Sequence, residues 1–521
     1  MTKSGNGYAP LSMKDASDID GRYNDMESAL KLHPDGHFVH AFIIPNYDEP
    51  EPLLRDTIKR LSQHRNASST YVIILAMEES ELNYASKGSS LQKNFDGYFL
   101  DFIITAHPKD LPGESRGKGS NVAYAAKEAC KHFARKHIDK RRVVFTITDS
   151  DSAIPELYVR HVEKALTESE EPYATICSPP IFFSRNALDV PAAVRVTDIM
   201  WSIMVMQNLS NRRGLAFPCS TYSLSMILAE KVGFWDTDKD AVGEDLHMWL
   251  KCFFKTGGVA RSVPIFVPIN LTNVQTAGYM SNIYARFVQA KRHYNGVADV
   301  AYSLKSAFTD HHNNATAHTN SNGYKNGYLL NEKKLSSTII PHAPIISKPI
   351  TKKNLSSSPG RRSLSSCLMS CSFIDKLEVV FHVLEAHMIP CTSGWLMIAA
   401  IPIIQLILAY STLFEYYLGV QNPLQTDLFY ASMFSLVQVV SLFLPIPLLL
   451  CAMIYEGLHK IIDEELFKKT SETRSWKNYT DYVWLPVSAL LFMTLPSTMA
   501  CVKRLSRKEE KYIVSEKEIN K

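Results

Sequence analysis

The stretch Val143-Val-Phe-Thr-Ile-Thr-Asp-Ser-Asp151 decides the fold class. Residues 142–148, dominated by β-branched and aromatic types, read as a buried strand of a mostly parallel sheet, apolar on both faces. Asp149 and Asp151 fall where that strand emerges, at the carboxyl edge where open α/β sheets bind ligands. Two carboxylates one residue apart on an extended chain point the same way, so both reach one divalent cation. Such hard oxygens suit Mg²⁺ or Mn²⁺, ions that usually also take oxygens from a substrate diphosphate. Taken alone, the motif reads equally as a strand ending in a polar turn. The surrounding chain decides.

Upstream, residues 38–44 form a first strand that stops at Pro45-Asn-Tyr-Asp-Glu49. An apolar-periodic helix led by Pro50 then runs to Leu61. Residues 71–77 are a second buried strand ending on Glu78 and Glu79, and residues 99–105 a third. A glycine-rich loop, Leu111-Pro-Gly-Glu-Ser-Arg-Gly-Lys-Gly119, opens a helix capped by Ser120 or Asn121. This repeated alternation of strand and helix predicts a doubly wound α/β domain. Downstream come a strand over 173–178 and a methionine-rich amphipathic helix over 194–209, suited to core packing or to a membrane surface. A small polar strand covers 220–225, and a helix opened by two carboxylates covers 242–254. Residues 259–271 read as strand and 280–300 as helix.

The 521-residue chain is long enough for a substantial core, and 56 lysines and arginines nearly balance 52 aspartates and glutamates. That balance excludes the polybasic signature of a nucleic-acid binder. Nine scattered cysteines lack CxxC or disulfide-like spacing and read as reduced thiols facing the cytosol. Residues 1–37 are polar, expected to be disordered, and hold no secretory leader. Residues 311–372 are low-complexity linker. Beyond them, 373–388 is amphipathic and suited to the membrane interface. The apolar stretches 395–414, 428–454 (broken by Pro445 and Pro447) and 484–501 are candidate membrane segments. Lys460, Lys468, Lys469, Arg474 and Lys477 between the second and third place that loop, with the domain before residue 310, in the cytosol. Three full crossings would leave Lys503, Arg504, Arg507 and Lys508 of the charged tail outside, against the same rule. A re-entrant third segment would not.

Four ordered motifs across residues 38–300 resemble a family-2 glycosyltransferase with the GT-A nucleotide-sugar fold. Pro45-Asn-Tyr-Asp-Glu49 looks like the family's turn against the nucleotide base, which implies donor contacts for Pro45, Tyr47 and Glu49. Asp149-Ser-Asp151 matches the aspartate-x-aspartate metal motif, with Asp149 also at the donor. Gly243-Glu-Asp245 matches the catalytic-base motif. Gln289-Ala-Lys-Arg-His293 is similar to the Gln-x-x-Arg-Trp signature of membrane-embedded polysaccharide synthases, with histidine replacing tryptophan. Lys118 in Gly-Lys-Gly-Ser-Asn121 resembles the family's lysine-x-x-asparagine near the donor, and Glu78 sits where a base-binding aspartate is usual.

The resemblance implies an inverting transfer. Asp149 and Asp151 would hold Mg²⁺ or Mn²⁺ on the diphosphate of a UDP-sugar. Asp245 would take the acceptor proton, supported by Glu244. Arg292 would clamp diphosphate, and Gln289 and His293 would face phosphate or acceptor. Structural alternatives stand beside these roles: two acids at a helix N-terminus complement its dipole, and Gln289 with Arg292 makes a surface pair. The expected acceptor is a growing polysaccharide or, alternatively, a lipid such as ceramide or polyprenyl phosphate. A non-catalytic partner-binding homologue is the third reading. An integral membrane protein of the plasma membrane or the Golgi or ER, in contact with lipid and able to form homo-oligomers or join a partner subunit, completes the expectation.

Overall fold

The computed structural model describes residues 38–238, 241, 243–308, 371–419, 428–443, 445–468, 474 and 476–506. The expectations for 1–37, for the linker up to 370 and for the tail beyond 506 lie outside them. A seven-stranded sheet of order β3-β2-β1-β4-β7-β5-β8 organises the first of these stretches. Strands β1 (Val39–Pro45), β2 (Tyr71–Glu78) and β4 (Val143–Ile147) are buried at every position, which is why apolar residues dominate their sequences. At the edge, β3 (Asp101–His107) alternates between buried and half-buried residues. Strands β5 (Thr175–Ser178), β7 (Tyr222–Ser225) and β8 (Arg261–Pro264) complete the sheet. Only β7 runs against its neighbours; the other pairs are parallel.

Side chains alternate across the pleat, so β1 feeds two apolar layers. Val39, Ala41 and Ile43 join Val122, Ala126 and Phe133 of helix α3 (Lys118–Arg135) on one face. Phe42 and Ile44 join Leu54, Ile58 and Leu61 of α1 (Glu51–Ser62) on the other, where Leu91 of α2 (Tyr84–Asn94) and Val162 of α4 (Glu156–Glu168) also pack. The domain is therefore doubly wound, as the alternation of strand and helix predicts.

Several boundaries differ from the sequence reading. Helix α3 starts at Lys118 with Gly117 as its N-cap, so Ser120 and Asn121 lie inside its first turn. Freed from capping, the buried Asn121 amide donates to the carbonyls of Ala76 (2.9 Å) and Asn46 (3.3 Å). The stretch 259–271 is interrupted: β8 ends at Pro264, and a separate two-residue strand, Ile269–Asn270, pairs with Ile181–Phe182 instead. Pro264 and Pro268 lack the N–H that a continuous ladder requires. The 280–300 helix divides into α8 (Tyr279–Tyr294) and α9 (Ala298–Phe308) at a single tight turn. Upstream, α5 (Ala192–Leu209) occupies the methionine-rich stretch, and α6 (Met226–Val232) and α7 (Glu244–Lys255) follow β7.

The packed chain resumes at Cys371, which is buried in the α3-side layer. From Phe373 to Leu418 it forms one 46-residue helix, α10, about 70 Å long at 1.5 Å per residue. Val379, Val380 and Val383 pack into the α3-side layer, and Asp375 pairs with Arg261 (2.6 Å) and Arg213. The outer side of the same turns exposes Phe373, Ile374, Leu377 and Phe381, so the amphipathic stretch is docked on the domain and apolar on its free face. Helices α11 (Leu428–Phe443) and α12 (Pro445–Ile461) divide the second apolar stretch at the proline pair. Among the described residues, one helical run, Trp476–Leu505 (α13), is long and apolar enough to cross a membrane by length and composition. A third of its apolar window is nevertheless buried, with Phe492 against Ala193, Val194 and Ala290 of the α/β domain. Ser488 donates to the Ala193 carbonyl (2.9 Å) and Arg195 pairs with Asp481 (2.8 Å), tying α13 and its entry to α5. The described cysteines are all free thiols.

Candidate functional site

The carboxyl ends of β1, β2 and β4 meet at one edge. Here the Pro45-Asn-Tyr turn is held from below: Asn46 N–H donates to the Ala76 carbonyl (2.8 Å), and its side-chain amide to Glu81 (2.7 Å). Lys87 donates to Asn46 Oδ1 (3.1 Å) and to the Glu49 carbonyl (2.8 Å), and pairs with Glu81. The Glu49 carboxylate accepts the N–H groups of Tyr47 (2.7 Å) and Asp48 (3.2 Å), so it shapes the turn that presents Tyr47. At the end of β2, buried Glu78 bonds His107 (3.2 Å), whose other nitrogen meets Glu114 (3.2 Å). Burial lowers the His107 pKa, but these two acids outweigh it and raise the imidazole above its ordinary value.

Asp149 and Asp151 do not lie on extended chain. Strand β4 ends at Ile147, and a turn closed by Ser152 N–H on the Asp149 carbonyl (3.1 Å) separates the two carboxylates. Asp149 pairs with Lys118 (2.8 Å) and accepts the Ser220 hydroxyl (2.6 Å). Asp151 is buried and accepts both the N–H (3.1 Å) and the hydroxyl of Thr272, while Arg185 donates to its backbone carbonyl. Each carboxylate is thus steered by a different element.

Ser220 joins the two motifs. Its backbone N–H donates to Asp245 (2.9 Å) while its hydroxyl holds Asp149. It does so from a left-handed backbone (φ 63°), a strained conformation for a residue with a Cβ. Asp245 also takes its neighbour Leu246 N–H (2.8 Å) at the start of α7. Lys118 bridges Asp149 and Glu244 at 2.8 Å each. Burial opposes its charge, but Asp149, Glu244 and Asp245 together drive its pKa upward. Burial, with Asp245 and Asp149 nearby, pushes Glu244 up to about 8 in spite of Lys118. Beneath this helix start, His247 lies between Asp299 (2.6 Å) and Asp236 (3.0 Å), and Lys251 also reaches Asp236 (2.5 Å). Burial disfavours the imidazolium, yet the two carboxylates raise His247 to about 9.

Helix α8 carries the last motif. Gln289 accepts from Arg286 (3.0 Å), which pairs with Asp198 (2.8 Å) while both ions are almost fully buried. The His293 ring lies 5.6 Å from the Trp201 ring, centroid to centroid, tilted by 33°. An indole from α5 thus stands beside the position where the signature carries tryptophan.

A cavity of about 600 Å³ collects every residue named from the sequence: Pro45, Tyr47, Glu49, Glu78, Lys118, Asp149, Asp151, Glu244, Asp245, Gln289, Arg292 and His293. Sequence reading missed Ser220, Thr272, Trp201 and one wall made by His382, Glu385 and His387 of α10. Ser220 carries no motif and is marked only by its backbone conformation. The α10 wall follows a long linker and has no signature either.

Among the described residues, no group of three or more His, Cys, Asp or Glu side chains is gathered to hold a cation. The carboxylates of Asp149 and Asp151 are hard donors, so they fit a hard dication whose remaining ligands are diphosphate oxygens. The cavity is large enough for such a substrate.

No curated protein matches the sequence. Among solved structures, a mannosyltransferase of Pyrobaculum calidifontis in complex with GDP-Man and Mn²⁺ is similar at 13% identity, with TM-score 0.40, over 95% of this chain and 97% of that one. TarS of S. aureus is similar at 11% identity (TM-score 0.33), over 52% of this chain and 40% of its own. A glucosyl-3-phosphoglycerate synthase of Mycobacterium tuberculosis with Mn²⁺, UDP and its product is similar at 13% identity (TM-score 0.29), over 51% and 81%. At such scores these likenesses carry no argument about donor or acceptor. Residues 144–455 match the model of glycosyl transferase family group 2, which covers more than half of the sequence, and the chain belongs to the family-2 glycosyltransferases.

Proposed function

We propose that this glycosyltransferase moves a sugar from a UDP-sugar to an acceptor hydroxyl by one direct displacement, with inversion. The observation that carries the reading is the Ser220 bridge. It fixes Asp149, the donor-side carboxylate, and Asp245, the base, in one hydrogen-bonded group at the mouth of the cavity. Asp245 takes the proton as the acceptor oxygen bonds to the anomeric carbon, and the carbon–oxygen bond to the diphosphate breaks with its electron pair leaving on UDP. Mg²⁺ or Mn²⁺ held at Asp149 and Asp151 would neutralise the developing diphosphate charge. Arg292 lines the cavity from α8, where it would clamp the diphosphate, and Lys118 pairs with Asp149 and Glu244. Tyr47 and Glu78 line the same cavity and would flank the nucleotide base.

The preferred acceptor is a growing polysaccharide, received on the Trp201–His293 platform. A lipid-linked acceptor is the second reading. It is favoured by the apolar lining from Phe183, Met204, Val205 and Phe217 and by the exposed apolar face of α10. In either case we place the domain of residues 38–310 in the cytosol and its anchor in the segments 395–414 and 428–454. Helix α13, docked on α5 and α8, then lies along the interface as a re-entrant segment. That arrangement leaves Lys503 and Arg504 on the cytosolic side, in keeping with the positive-inside rule.

The test is UDP release from detergent-solubilised full-length protein over UDP-glucose, UDP-N-acetylglucosamine, UDP-galactose and UDP-glucuronic acid, with Mn²⁺ or EDTA. Metal-dependent turnover of one donor, lost in Asp245→Asn, is expected, and product analysis then separates polymer from lipid-linked sugar. Undiminished turnover in Asp245→Asn would sink the mechanism.

A further inference from the structure

Asp463 lies just past α12, in a wider π-helical turn (Ile462–Leu466), and is 1% exposed. Tyr455, His459 and Asp463 follow one another at intervals of one helical turn, so they share a face. That face is seated on the two-residue strand Ile181–Phe182. The Phe182 ring stacks on Tyr455 (5.0 Å between centroids, 16° between planes) and lies 4.6 Å from the His459 ring. Next along the face, Asp463 accepts the hydroxyl of buried Ser184. A carboxylate at this depth is costly to bury without such a donor.

Ser184 organises the grip on the loop that carries Asp151. Its hydroxyl also accepts the Asn270 amide (2.7 Å), and its N–H donates to Asn270 Oδ1 (3.0 Å). Asn270 in turn exchanges both backbone hydrogen bonds with Ala153 (2.8 and 3.2 Å). Two residues further on, Thr272 holds the Asp151 carboxylate through its N–H (3.1 Å) and its hydroxyl. Arg185, the residue after Ser184, donates to the Asp151 backbone carbonyl and pairs with Asp56. Ser184, Asn270 and Asp151 are all buried, so water does not compete for these bonds. The carboxylate and the carbonyl of Asp151 are thus both held by close neighbours of one hydroxyl, and Asp463 fixes that hydroxyl.

We propose that Asp463 is a positioning residue: through Ser184, Asn270 and Thr272 it sets the Asp151 carboxylate for the cation, so that the helix following the apolar segment 428–454 governs metal affinity at the sheet edge. The inference rests on Asp151 being a metal ligand. It gives a part in the chemistry to a helix outside the four sequence motifs.

The test titrates Mn²⁺ into full-length protein in detergent, with UDP present, and follows the EPR spectrum of the bound ion. Asp463→Ala removes the acceptor of the Ser184 hydroxyl, whereas Asp463→Asn keeps an oxygen there. Alanine is expected to weaken Mn²⁺ binding about tenfold, the lower end of what partners behind a metal ligand are worth, and asparagine to restore it. Ser184→Ala cuts the same relay from the domain side and should give the same loss, which keeps the test open if Asp463→Ala does not fold. Tyr455→Leu loosens the same helix face without touching the relay, so it should lower Tm and leave Mn²⁺ affinity as it was. Wild-type Mn²⁺ affinity in Asp463→Ala or Ser184→Ala would overturn the proposal. An equal loss of affinity in Tyr455→Leu would overturn it too, as loosened docking of the whole helix. Failure of the underlying reading looks different, since Asp151→Asn would then bind Mn²⁺ as the wild type does.

Discussion

Lys118 bridges Asp149 and Glu244, and replacing it tests the electrostatic account of the site directly. At 2.8 Å and an effective dielectric of about 20, Coulomb attraction between Lys118 and Asp149 is about 6 kcal/mol before desolvation is charged against it; Glu244, raised to about 8, is mostly protonated at pH 7 and adds little. Removing one partner of a buried pair costs about 3–5 kcal/mol. The lower end applies here, because Lys118 and Asp149 keep 21% and 32% of their side chains exposed. Lys118→Met is thus expected to lose about 3 kcal/mol at pH 7 in EDTA. For a domain of this size that corresponds to a Tm fall of roughly 6–12 °C. Thermal unfolding followed by tryptophan fluorescence measures it. The loss should grow as pH rises through 8, because Glu244 then gives up its proton beside Lys118 in the wild-type protein and adds a second ion pair that the variant lacks. A Tm change under about 2 °C, or one indifferent to pH, would refute the reasoning.

Further expectations concern the supports of the site. Ser220→Ala removes a hydrogen bond to a charged acceptor, worth about 1.5–3 kcal/mol, so kcat/KM should fall roughly ten- to hundredfold. Ser220→Gly, relieved of its left-handed strain, should unfold at a higher temperature than Ser220→Ala; the reverse order would contradict the strain. The pKa of His247 is raised from 6.5 to about 9 in the fold, so its stabilisation is complete below pH 6.5 and is lost as pH climbs through 9. A Tm-against-pH curve should show that decline, and His247→Gln should flatten it. Arg286→Met deprives buried Asp198 of its guanidinium and Gln289 of its donor, and urea unfolding should register about 3–5 kcal/mol.

Legibility followed burial. Strands β1, β2 and β4 were readable because both faces are packed and apolar residues dominate the run, with His40 and Thr146 the buried polar exceptions in β1 and β4. Most motif residues sit at strand ends and helix starts, and Gln289 to His293 share the last turns of α8, places where sequence spacing and position in space coincide. The prolines at 264 and 268 defeated the reading of 259–271, since apolar composition outweighed the missing N–H groups. The extended chain expected through Asp149 and Asp151 is a turn instead, because the strand stops at Ile147 and Ser152 N–H closes on the Asp149 carbonyl. Ser220 and His387 were invisible for another reason: one is defined by a backbone angle, the other by a seat next to a glycine far away in sequence.

The reversed direction of β7 has a consequence for how such an enzyme can change. In a wholly parallel sheet, the active edge would draw only on the segments that leave strands. Because β7 runs the other way, the segment that enters it reaches the same edge, and residues 210–220 contribute Asn211, Phe217, Cys219 and Ser220 to the cavity. Donor-side groups come from the exits of β1, β2 and β4, whereas this entry loop belongs to a separate stretch joining α5 to β7. Substitutions or insertions there can reshape the acceptor side without re-registering the parallel strands. On the proposed assignment of donor and acceptor sides, acceptor preference would be a separable trait, open to drift and to engineering while the nucleotide half stays as it is.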